Sequence, residues 1–136
     1  MIVIDANNMI LGRLATYAAK QALLGQEVRV INAEKAVISG KKANTIGELS
    51  RREEQGIPTK GPFMPKMPDR FVRKTIRGML PYKQPKGAEA FKRILCYSGV
   101  PEEFKEAKPV EVSNASAGKL PTLNKITIGE DLKRFR

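Results

Sequence analysis

Ile2-Val3-Ile4-Asp5, Leu11-Gly12-Arg13-Leu14-Ala15 and Val28-Arg29-Val30-Ile31-Asn32 are the strings whose reading decides the fold. The first is a short β-branched run closed by Asp5-Ala6-Asn7-Asn8, residues that favour turns and helix caps, so it reads as a buried strand. From Leu11 the apolar positions Leu11, Leu14, Ala15, Ala18 and Ala22 form a helical stripe, with Arg13, Thr16 and Lys20 opposite and Gly25 as the stop. Its alanines leave a thin face suited to close packing on a sheet. Val28 to Asn32 is a second strand. Strand, helix and strand in this order predict a βαβ unit with parallel strands and a right-handed crossover.

Outward from that unit, Ala36-Val37-Ile38 is a further short apolar run closed by Ser39-Gly40. A polar helix follows from about Lys41 to Gln55, with Ile46 and Leu49 as its weak apolar face. Between Gly56 and Pro68 four prolines and two glycines exclude a regular element. Pro68-Asp69 opens a helix that Pro81 stops, with Val72, Ile76 and Met79 on its apolar side. After the loop Tyr82 to Lys86, Ala88 and Phe91 continue in a short helix. Ile94-Leu95-Cys96-Tyr97 either extends that helix or forms another strand, and periodicity leaves both open. Val110-Glu111-Val112 reads as a short strand, Ser113 to Pro121 as an extended stretch. Thr127 to Arg134 reads as a final helix with Thr127 as cap and Glu130 three residues on.

Charge points to the partner. The 136-residue chain holds 25 Lys and Arg against 14 Asp and Glu, a net charge of +11. Residues 51–99 alone hold twelve basic and four acidic side chains, so the excess is concentrated in the middle third. A polyanion, nucleic acid first, is the implied partner. The absence of histidine removes the commonest general base and metal ligand, and the single Cys96 removes an internal disulfide or a multi-cysteine metal site. No dinucleotide or P-loop glycine pattern follows the first strand. Asp5 stands at the carboxyl end of that strand, where α/β folds bind ligands; its plainer role is to hold the turn with Asn7 and Asn8. The adjacent pairs Glu53-Glu54 and Glu102-Glu103 point different ways on a helix. Cys96, among apolar neighbours, reads as a core filler. With no long apolar run and Met1 leading straight into a strand, the expected location is cytosolic.

From Lys60 to Lys86 the basic residues Lys60, Lys66, Arg70, Arg73, Lys74, Arg77, Lys83 and Lys86 face one acid, Asp69. Arg70, Arg73, Lys74 and Arg77 fall at i, i+3, i+4 and i+7, which predicts one helix face. The pairs Arg70–Lys74 and Arg73–Arg77 are like-charged, each costing a few tenths of a kcal/mol, and a phosphate backbone relieves that repulsion. Phe63, Phe71 and Tyr82 are interleaved. Phe71, on the helix flank, is expected in the core, whereas Phe63 in the Pro/Gly loop is the candidate to stack on an unpaired base.

At Arg77-Gly78-Met79-Leu80-Pro81, together with Leu11-Gly12-Arg13-Leu14-Ala15, Val30-Ile31-Asn32-Ala33-Glu34 and Ile38-Ser39-Gly40, the chain closely resembles the universal large-subunit ribosomal protein thirteen family. The resemblance runs from Ile2 to about Pro101. The Gly61-Pro62-Phe63 loop and the C-terminal region are similar to its archaeal and eukaryotic branch. It implies a three-layer α/β/α domain with a small, mainly parallel sheet of about four strands, plus basic loops and an extended C-terminal region. Residues 1–136 would then be one rRNA-binding domain, with a core of about 1–101, a basic insertion at 56–86 and an extension at 102–136. It also implies a structural constituent of the large subunit, placed on large-subunit rRNA early in assembly beside neighbouring large-subunit proteins. Catalysis, cofactor, metal, membrane and small-molecule substrate have no part in that reading. In the family the region around the Arg-Gly-Met-Leu-Pro string lies against rRNA, so Arg70, Arg73, Lys74, Arg77, Lys83 and Lys86 carry over as contacts. Bacterial members have histidines and a tyrosine-rich segment where this chain has Lys41 to Phe63. RNA contacts by Lys41, Lys42, Arg51, Arg52 and Lys60 therefore rest on charge alone; Lys66, within the basic stretch, is a further candidate contact.

Overall fold

β1 (Ile2–Asp5), α1 (Leu11–Leu23) and β2 (Val28–Ile31) form the expected parallel unit, with Ile2 opposite Val28 and Asp5 opposite Ile31. The structure is a computed structural model that describes residues 1–118 and 125–132. All five apolar stripe positions of α1 are buried, and the alanines among them let the helix lie close on the strands. The chain then runs through a 3-10 turn (Ala33–Lys35), β3 (Val37–Ser39), α2 (Lys42–Glu53), α3 (Pro68–Gly78) and α4 (Pro85–Lys92) into β4 (Ile94–Cys96). The segment left open at Ile94 is thus a strand. It pairs parallel to β2, with Ile94 opposite Val28 and Cys96 opposite Val30, so pairing with the central strand outweighs continuation of α4.

The main sheet has three strands, in the order β1-β2-β4 and all parallel, where about four were expected. Each crossover advances in the same direction, so right-handed connections place α1, α3 and α4 on one face. α3 and α4 each pack on α1 there, over Ile4, Val28, Val30 and Ile94. The alternate residues Val3 and Ile31 point to the other face. A 3-10 turn (Glu102–Phe104) covers them, with Phe104 against Tyr97 at 5.7 Å between ring centroids.

β3 lies outside this sheet and pairs antiparallel with β5 (Lys125–Thr127), Val37 opposite Thr127. That pairing carries Ile126, Ile128 and Leu132 back into the main core beside Leu49 of α2. Two readings are corrected. Val110 to Val112 forms no strand; the Val110 amide donates one hydrogen bond, 2.8 Å, to the Val3 carbonyl and so covers the free edge of β1. The last helix, α5, spans Ile128–Asp131, and the Thr127 side chain does not cap it. Asp131, rather than Glu130, reaches back, its Oδ2 accepting the Thr127 amide at 2.9 Å. Parts of the readings Ser113–Pro121 and Thr127–Arg134 lie outside the described residues.

Candidate RNA-binding surface

α3 presents the site. Its Pro68 stands in the first turn beside Asp69, whose charge suits a helix N-terminus. Val72 and Ile76 are fully buried against the sheet and α1, which turns the opposite side of the helix to solvent. Arg70, Lys74 and Arg77 are exposed there; Arg73 is half-buried. With Pro65 and Phe91 these four cations line one shallow groove. Arg70, Lys74, Arg77, Lys83 and Lys86 have no carboxylate partner among the described residues. Helical phasing thus holds for Arg70, Lys74 and Arg77, whereas Arg73, read on the same exposed face, is half-buried.

Two of the cations rest on aromatic rings. The Arg77 guanidinium lies 5.1 Å from the centroid of Tyr82, itself exposed, and Arg73 lies 4.5 Å from that of Phe91 on α4. Lys83, on the connection into α4, and Lys86, in its first turn, are exposed. That connection is tight, because the Gln84 amide donates to the Pro81 carbonyl at 2.9 Å. A Cβ at Gly87 would stand 2.1 Å from the same oxygen, so only glycine lets α4 start against the loop. Met79, read as apolar-side, is 42% exposed instead, since α3 has ended and Leu80 takes the buried place.

The loop before α3 closes on itself through an Ile57–Gly61 bridge and carries Lys60 and Phe63 outward. Phe63 is 73% exposed, the most exposed aromatic side chain among the described residues, whereas Phe71 packs against the core as expected. Lys41, just before α2, and Arg51 and Arg52 in its last turn are exposed. Three of the candidate cations already have partners: Lys42 with Asp131, Arg52 with Glu48, and Lys66 with Glu53 at 3.1 Å. Sequence order could not reveal the first pairing, which joins residues 89 apart.

Other candidate chemistry is absorbed by structure. Asp5 Oδ1 accepts the Asn7 amide at 3.0 Å and the Asn32 side-chain amide at 2.9 Å, so it holds the turn with Asn7 and Asn32 rather than Asn8. Burial pushes the Cys96 thiol up to about 12; the Arg73 charge opposes the shift and the Asp69 charge adds to it. Such a thiol is not a nucleophile near neutral pH. An enclosed apolar recess between α2, α3 and α5 has only Glu53 and Lys66 as its charged lining, and these pair with each other. No helix among the described residues is long and apolar enough to cross a membrane.

Comparison with known proteins gives a consistent answer. Residues 1–103 match the family described as Ribosomal protein L13. The chain is 47% identical over 131 residues to the large ribosomal subunit protein uL13 of Methanosarcina barkeri, covering 96% of this chain and 94% of the relative. The uL13 of Methanococcoides burtonii is 45% identical with the same coverage. That of Archaeoglobus fulgidus is 37% identical over 98% of this chain and 85% of the relative.

Proposed function

The chain belongs to the ribosomal protein L13 family, and from that membership we propose that it is a structural, non-catalytic constituent of the large ribosomal subunit in the cytoplasm. It binds large-subunit rRNA through the outward face of α3 and the flanking loops, and supports early subunit assembly and translation as a single domain. The observation that carries this reading is the exposed row Arg70, Lys74 and Arg77, continued by Lys83 and Lys86, with no acid paired to any of them among the described residues. Like charges so arranged repel in the free protein and are relieved by a phosphate backbone. Lys41, Arg51 and Lys60, all exposed, add further phosphate contacts, and the exposed Phe63 stacks on an unpaired base. Lys42, Arg52 and Lys66 reach phosphates by exchanging partners. Exposed ion pairs hold only about 0–1 kcal/mol, so the exchange is cheap. Neighbouring large-subunit proteins complete the environment.

The test is sedimentation of cell extract through a sucrose gradient, followed by rRNA binding at several salt concentrations. The protein should travel with large subunits and their precursors, and the affinity should fall steeply with salt. Recovery only in free fractions, or binding indifferent to salt, would overturn the reading.

A further inference from the structure

The four cations of α3 are not equivalent. At about 100° per residue, Lys74 and Arg77 lie about 40° and 20° either side of Arg70, whereas Arg73 lies about 60° away, midway between Arg70 and the buried Ile76. The structure follows that geometry. Arg73 is half-buried, its Nε is enclosed without a hydrogen-bond partner, and its guanidinium covers the Phe91 ring. With Nε shut in, the side-on donor pair of Nε and Nη that grips a phosphate bidentately is lost, and the ring fixes the face of the guanidinium against α4.

Phe91 is on α4, and α4 starts hard against the Pro81 carbonyl through Gly87. The placing of α4 against α3 therefore sets where Lys83 and Lys86 stand relative to Arg70, Lys74 and Arg77. We propose that Arg73 is a positioning residue of the RNA face: by stacking on Phe91 it fixes α4, and with it Lys83 and Lys86, against α3, and it neutralises no phosphate itself. The proposal rests on the reading of α3 as an RNA-binding face.

The test uses the full chain and deproteinised large-subunit rRNA, with affinity measured against salt concentration and folding checked by circular dichroism. Lys74→Met, which removes a phosphate contact, lowers the log–log salt slope by about 0.7–0.9. Arg73→Met leaves the slope at the wild-type value while affinity falls about three- to thirty-fold, the range a cation–π contact sustains. Arg73→Lys, the mildest change in packing, keeps the charge and an ammonium over the ring but loses the planar stacking, so it shows part of that loss with the slope unchanged. Phe91→Leu shows that loss with every cation intact. A slope reduced by Arg73→Met as by Lys74→Met, or full affinity in Arg73→Lys, would overturn the proposal. An unchanged slope in Lys74→Met would instead overturn the RNA face itself, and the proposal with it.

Discussion

Asp131 shows how one side chain joins distant parts of this chain. It accepts the Thr127 amide and pairs with Lys42 of α2, and the Lys42 bond above all holds its carboxyl below the ordinary 3.8. A lowered folded-state value means stabilisation that is complete above the unfolded value and lost as pH falls through the folded one. The stability difference between wild type and Asp131→Asn in urea should therefore stay constant from about pH 7 to 5 and shrink on further acidification. Cys96 gives a second prediction at this scale. With its thiol near 12, native protein at pH 8 should be alkylated by iodoacetamide far more slowly than the urea-unfolded chain. Its inert character was legible from its apolar neighbours. The Arg73 environment was only half legible, because i, i+3, i+4, i+7 spacing groups four residues whose true angular spread reaches the buried edge of the helix.

At the scale of elements, α3 separates stability from binding. Ile76 is fully buried, and Ile76→Ala should cost about 2–5 kcal/mol in urea unfolding. Lys74→Met, on the solvent side, should stay within about 0.5 kcal/mol of wild type while weakening RNA binding. At α4, Gly87→Ala places a methyl 2.1 Å from a backbone oxygen that cannot rotate away, so a clear fall in Tm is expected by thermal circular dichroism. Helices of eight or more residues were readable because several turns repeat one apolar stripe. The three-residue strands β3, β4 and β5 were not equally so, since a run that short matches either period and its pairing partner decides it.

For the whole molecule, the C-terminal return is a structural requirement. A chain ending at Gly118 would lose β5 with Ile126, Ile128 and Leu132, all buried. At about 1.5–3 kcal/mol each, that loss is comparable with the whole stability of a small domain. Such a truncation should show a broad, non-cooperative melt or none, against one sharp transition for the full chain. By itself the sequence determined the βαβ start, the basic α3 and its partner class, because periodicity and charge are local quantities that survive in one dimension. Only the tertiary structure decided that β3 pairs with β5 and that Lys42 and Lys66 are already paired. It also decided that Arg73 turns toward Phe91. Those outcomes depend on which distant surfaces meet, and a linear pattern does not carry that information.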